Sequence, residues 1–470
     1  MPKPDRARGR IASLVPPILR SNRDFRLAYL GGLVSWLGSA MSSIAYPLLV
    51  ISLGGTALQA GAVATVSLTT RLVLRLPAGQ LADRWSRRAV MLCADLTRAA
   101  ALSSIPLAAL FGQLHYPQLL AVAVGEGIAT ALFGPATDIL TKDIVPPDQL
   151  AEAAGLNQGM LSAAYLAGPA IGGALFAVGR EVPFAVDAAS YAVSAVLLWR
   201  IAARPPVLAP GVAQSGGMLA GIRWLARSRE LFTALAYASV VNLVSAALEV
   251  LVILGLEKHG TPAGTVGLIL SCIGIGSVAG ALASPALVRW LSPATLLSGI
   301  GVLWSCVLAL FAFTFAPVTA AALLAVLMAF SPAAGVVVSQ LLIGRTPREL
   351  LGRMSAATSV MLSGLAALGP LVAGALDGSL GLAGAWLVLA ALTAAATLLS
   401  WLPLRAARMP RPASIPNDLR EIEEIEEMEV MAHQEPAPAG IPHGALTWSP
   451  LRAQAVWPPA LIERDNVSGG

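Results

Sequence analysis

The chain has 470 residues, of which 56% are hydrophobic and 12% charged, with a mean hydropathy of +0.73. That leaves too little polar surface for a water-soluble globule of this length, so lipid must be the solvent for much of it. The formal net charge of +5 resides largely in arginines at the ends of apolar runs, which points to membrane topology and away from a nucleic-acid partner.

In chain order, residues 1–24 read as a cytosolic extension. The stretch is broken by prolines and arginines and lacks the compact apolar region of a cleavable signal. Twelve apolar runs long enough to cross a bilayer follow, near 26–50, 57–80, 90–112, 118–141, 151–178, 184–203, 232–256, 264–288, 295–315, 317–342, 353–377 and 383–404. The predicted fold class is therefore all-α and integral to the membrane. Residues 25–203 make one six-helix half and 232–405 a second, joined by a cytosolic linker, 204–231, rich in proline and glycine (Pro205, Pro206, Pro210, Gly211, Gly216, Gly217). Loops on one side hold Arg84, Arg87, Arg88, Lys142, Arg204, Arg223, Arg289, Arg345 and Arg348, whereas those opposite hold only Arg180 and Lys258. By the positive-inside rule both termini lie in the cytoplasm. The tail, 406–470, carries Asp418, Glu421, Glu423, Glu424, Glu426, Glu427 and Glu429 with Ile422, Ile425 and Met428 at three-residue intervals, then a proline-rich remainder. It is expected to be cytosolic and disordered, its acidic stretch either docking a protein partner or simply solvated.

The halves repeat. Pro147-Asp148-Gln149-Leu150 recurs as Pro347-Arg348-Glu349-Leu350, and Gly168-Pro169 as Gly369-Pro370. Gly79, Leu81 and Ala82 read as recurring at Gly280, Leu282 and Ala283, with Ser284 in the place of Asp83. An even number of spans separates the copies, so the halves are parallel repeats, an arrangement with a site between them near the midplane.

Two segments read as gates. In GQLADRWSRRAVML, between spans two and three, Gly79 permits close helix approach, and Asp83 can bond exposed donors at a neighbouring helix N-terminus, with Arg84, Arg87 and Arg88 on the same face. A plain topology-fixing loop is the competing reading. The fifth span carries Gly155, Ala164, Gly168, Pro169, Gly172 and Gly173, small residues that bring helices together around a proline that removes one backbone bond. That favours a gate near its extracellular end, against ordinary glycine-rich packing.

Ionisable residues within spans are costly unless paired or facing water. Glu126 and Glu249, one in each half, are candidates for coupling or substrate binding, with structural carboxylates as the alternative. Asp95 and Arg98 are three apart and can pair locally. Arg71 lies deep enough in span two to meet an anionic substrate, Arg75 is placed to snorkel, and Asp187 reads as an interfacial residue. The only lysines, Lys3, Lys142 and Lys258, are not preceded by glycine, so no phosphate-binding G-x4-G-K loop exists and the energy must come from a gradient or from another subunit. His115, His259, His433 and His443 form no H-E-x-x-H pair, and Cys93, Cys272 and Cys306 lie far apart. No enzyme activity, cofactor or metal is expected, and no filter or charge ring suggests a channel.

The loop at Gly79, Leu81, Asp83, Arg84, Arg87 and Arg88 resembles the G-x-L-x-D-R-x-x-R-R signature of the major facilitator superfamily, and the fifth span resembles its exporter pattern G-x8-G-x3-G-P-x2-G-G, with Ala164 for one glycine. FRLAYLGGLVSWLGSAMSSIAYPLLV at 25–50, ADLTRA at 94–99 and FGPATDILTKDIVPPDQLAEAAGLNQ at 133–158 resemble the subgroup of bacterial enterobactin exporters and macrolide efflux proteins, over roughly 22–405. The resemblance implies twelve helices in the major facilitator fold, in a bacterial cytoplasmic membrane. It also implies alternating-access export of a small organic compound, a proton gradient as the drive, and Asp83 against the helix beginning near Gly352. An importer of the same fold and a non-transporting sensor or scaffold remain the alternatives. One departure stands out: the acidic residue often found after the glycine of the first span is here Ser39, following Gly38.

Overall fold

The computed structural model describes residues 16–84, 86–202, 228–346 and 351–406, without the side chains of 76, 78–84, 229–230, 343–345, 351–353, 355–356 and 402–406. The expectations for the linker and the acidic tail lie almost wholly outside these residues. Described secondary structure is helical: α1 Arg23–Ser52, α2 Ala57–Arg84, α3 Arg87–Leu110, α4 Tyr116–Ile144, α5 Leu150–Val178, α6 Val182–Trp199, α7 Arg229–Lys258, α8 Ala263–Trp290, α9 Pro293–Phe313, α10 Pro317–Arg345, α11 Leu351–Ala366 and α12 Gly369–Ala406. In hydrocarbon each backbone N–H and C=O must be satisfied within its own segment, and helices do this. Pro117, Pro183, Pro293 and Pro317 sit in the first turns of their helices, where an N–H would be orphaned anyway.

The apolar stretch 357–401 runs for 45 residues, far beyond the roughly 20 that cross a bilayer. It folds back at Gly381, whose φ of 71° and ψ of 174° interrupt α12 in a conformation that favours glycine. Span eleven is thus α11 with 369–380, span twelve is 382–406, and twelve spans result.

The helix bounds give the register of the internal repeat. α1, α2 and α3 begin at 23, 57 and 87, and α7, α8 and α9 begin 206 residues later at 229, 263 and 293. α4 and α5 begin at 116 and 150, and their counterparts at 317 and 351, 201 later. The second half is shorter in its third helix and in the turn that follows. This corrects the expected match of Gly79 with Gly280. The helix bounds pair Gly79 with Pro285, and Gly280 instead packs against Ala329 of α10.

Within the first half α1 packs on α5 and α6, α2 on α4, and α3 on α4 and α6; α7, α8 and α9 make the related contacts in the second. The second-half core centres on fully buried Trp304 and Trp386, the latter stacked on Phe311 with ring centroids 4.8 Å apart. Outward-facing Leu110, Phe111, Val178, Phe313 and Leu399 are exposed, as lipid-facing side chains should be. From Pro16 onward the N-terminal extension is part of the fold. A one-turn helix, Pro17–Ser21, buries Ile18 with Phe25 against Val145 and Ala153. Asn22 caps α1 by accepting from Phe25 N at 2.9 Å and donates to the Ile144 carbonyl at 2.7 Å.

The face where α1 begins is called the near face and the opposite one the far face. The halves meet along α2 with the first part of α12, and along α5 with α8.

Candidate substrate cavity and gate

A cavity of ≈ 400 Å³ lies between the halves. Trp36, Ser39 and Tyr46 of α1, Arg71 of α2, Arg98 of α3, Glu126 and Phe133 of α4, Tyr165 of α5, Tyr191 of α6 and Glu249 of α7 line it. Glu126 and Glu249, distant in sequence, thus face one space from opposite halves. Arg71 faces it too, and so does Arg98, through its pair with the fully buried Asp95.

The polar groups of the first half are held in place. Tyr46 Oη donates to Glu126 Oε2 at 2.5 Å, its ring resting edge-on against Phe184. Ser39 Oγ and Tyr191 Oη are 2.6 Å apart. The Arg98 guanidinium lies 3.4 Å from Asp95 Oδ1 and sits over two rings, 4.9 Å from the centroid of Phe133 and 5.0 Å from that of Tyr191. Glu249 is exposed to the cavity. Aromatic walls with both signs of charge suit an organic molecule that has apolar and polar parts.

Asp187 corrects the sequence reading. It is not interfacial but fully buried where α6 crosses α1, with Ser190 Oγ donating to its Oδ1 at 3.2 Å. A Cβ on Gly38 would overlap Asp187 Oδ1 and Ser190 Oγ in their present positions, so the bare glycine makes room for this carboxylate. The carboxylate missing from α1 at Ser39 therefore has a neighbour on α6, beside the preceding residue.

In the loop signature, Arg87 pairs with Asp143 of α4 at 3.2 Å, and Arg88 donates to the Trp199 carbonyl at the end of α6. These arginines tie the near-face ends of three first-half helices together. The side chains of Asp83 and Arg84 and the surroundings of Gly79 lie outside the described residues, and with them the expected cap on the helix near Gly352.

Along α5 the glycines divide. A Cβ on Gly168 would overlap Ala40 of α1, and one on Gly172 would lie 2.8 Å from Met41 Cα. One on Gly173 would lie 3.0 Å from Gly267 Cα of α8, across the interface between halves, and a Cβ on that same Gly267 would overlap the Pro169 carbonyl. A Cβ on Gly155 would meet none of the described residues within 4 Å, so the motif's first glycine takes no part in this packing. α5 is thus tightly packed in its far half and open at Gly155 and Gly159 in its near half.

Sequence reasoning missed Tyr46, Tyr191 and Trp36. A signal existed for the first: Ser35, Ser39, Ser42 and Tyr46 recur at intervals of three and four along an apolar run, which places them on one helix face.

Residues 28–366 match the profile described as Major Facilitator Superfamily. The chain is 30% identical over 219 residues to the multidrug efflux pump Tap of Mycobacterium tuberculosis (strain ATCC 25618 / H37Rv), covering 43% of this chain and 50% of that one. It is 29% identical over 154 residues to macrolide efflux protein A of Streptococcus pyogenes, covering 33% and 38%. The chain thus spans at most about half the length of these two relatives. A solved structure of the nucleoside transporter NupG shares the fold, with a TM-score of 0.68 at 15% identity over 81% of this chain and 100% of that one.

Proposed function

This chain belongs to the major facilitator superfamily, and we propose that it is a secondary active transporter exporting small amphipathic organic compounds by alternating access. The observation that carries this reading is the cavity between the halves, lined by one carboxylate from each and bounded toward the far face by close helix contact. The near face is then cytoplasmic, as the arginine distribution expects, and the close helix contacts shut the cavity off on the opposite side. Export, rather than import, is supported by the names of the efflux relatives. A proton gradient is the drive: Glu126 and Glu249 face the cavity where substrate and proton would compete, and no phosphate-binding loop offers another source.

The test is transport in proteoliposomes carrying an imposed pH gradient, with a panel of amphipathic dyes and antibiotics. Substrate movement opposite to the proton flux supports the proposal. Movement with it makes the chain an importer, and none from protein of verified insertion makes it a sensor or scaffold.

A further inference from the structure

The contact between the halves at the far face is built twice. Ala57, Gly61 and Thr65 lie at successive four-residue steps on one face of α2, and Ala263, Gly267 and Ser271 do the same on α8, each 206 residues later. A Cβ on Gly61 would overlap the Pro370 carbonyl, and one on Gly267 the Pro169 carbonyl. Gly374 meets the Ala57 carbonyl as Gly173 meets that of Ala263. The two backbones therefore touch at both crossings, with no side chain between them.

At each crossing a single hydroxyl reaches across. Leu371 N donates to Thr65 Oγ1 at 3.1 Å, and Ala170 N donates to Ser271 Oγ at 3.1 Å. Each donor is the residue that follows a Gly-Pro pair, Gly369-Pro370 or Gly168-Pro169. Leu371 lies in the first turn of α12, where helix N–H groups lack partners within their own helix. Both hydroxyl residues are buried, so water does not readily replace them. Losing either hydroxyl weakens the closed far face without altering the cavity lining.

We propose that the Thr65 and Ser271 hydroxyls are paired latches of the far-face gate, each acting on the backbone N–H after a Gly-Pro pair in the opposite half. The proposal rests on the alternating-access reading. In each cycle the latches break together as the far face opens, and re-form as it shuts. Their symmetry makes the two crossings open as one unit, because each half contributes one hydroxyl and one N–H.

The experiment uses the full chain with Cys93, Cys272 and Cys306 replaced by alanine and one reporter introduced as Ala246→Cys, a cavity-lining position on α7. A membrane-impermeant maleimide is applied to intact cells, and the initial labelling rate is read. Thr65→Val and Ser271→Ala should each raise the rate about fivefold, and the double variant about 25-fold, because both buried hydrogen bonds break in the same opening and their free energies add. Thr65→Ser and Ser271→Thr, which keep the hydroxyl, should label like the parent. Gly267→Leu, which forces α5 and α8 apart by bulk, is the comparison. If Gly267→Leu raises labelling and the hydroxyl variants do not, the latches are refuted while alternating access stands. If monodisperse, inserted Gly267→Leu also labels like the parent, the alternating-access reading falls with them.

Discussion

The same substitution at two glycines of α5 should stabilise the protein at one and fail to do so at the other. Gly155→Ala adds a methyl group where none of the described residues lies within 4 Å, so it gains the helix propensity of alanine, about 1 kcal/mol, without a steric cost. Gly168→Ala gains the same propensity, but its Cβ would overlap that of Ala40 and lie 3.1 Å from the Ala40 carbonyl carbon. The obstruction is the rigid backbone of α1, not the end of a flexible side chain, and overpacking of this kind costs roughly 1–3 kcal/mol. The two variants should therefore differ by about 1–3 kcal/mol, with Gly155→Ala above the parent and Gly168→Ala at or below it. Thermal midpoints of the purified protein, followed by loss of the monodisperse size-exclusion peak, should separate them by several degrees. Equal midpoints, or Gly168→Ala the more stable, would refute the packing described for α5.

Two further outcomes are expected. Lys258 Nζ lies 2.6 and 2.8 Å from the two carboxylate oxygens of the buried Asp377, so Lys258→Met leaves a carboxylate without its cation; because the lysine is half-exposed, stability should fall by roughly 1–2 kcal/mol, and Lys258→Met with Asp377→Asn should recover most of the loss in the same thermal assay. Tyr46→Phe removes the donor that positions Glu126 and should slow gradient-driven transport severalfold, yet add nothing in a Glu126→Gln background, because the two act as one unit; additive losses would separate them.

The architecture was legible because bilayer thickness and the absence of water impose strong constraints on composition. Long apolar runs, arginines at their ends and a repeat of Gly-Pro pairs suffice to count twelve spans and halve the chain. The register of the repeat was not legible at its first helices, because the second half is shorter around its third helix and the following turn, and chance recurrences of glycine in so glycine-rich a chain obscure that change. The cavity residues divide in the same way. Charges such as Glu126, Glu249 and Arg71 are conspicuous in hydrocarbon and led to one space. Asp187 misled because its place five residues into α6 suggests the interface, whereas the bare surface of Gly38 admits it to the interior. Thr65 and Ser271 gave no signal as single residues, since a hydroxyl in a helix ordinarily bonds its own preceding turn.

On the proposed mechanism, the carboxylates facing the cavity couple substrate movement to a gradient. The direct measurement is steady-state accumulation and equilibrium exchange of one verified substrate in proteoliposomes, with a gradient of about one pH unit, for the parent, Glu126→Gln, Glu249→Gln and the double variant. Each coupled proton supports about tenfold accumulation per pH unit. At least one single variant should lose about tenfold in accumulation while keeping exchange, and the double variant should only equilibrate. Full accumulation in both single variants and in the double would contradict that mechanism and make Glu126 and Glu249 structural.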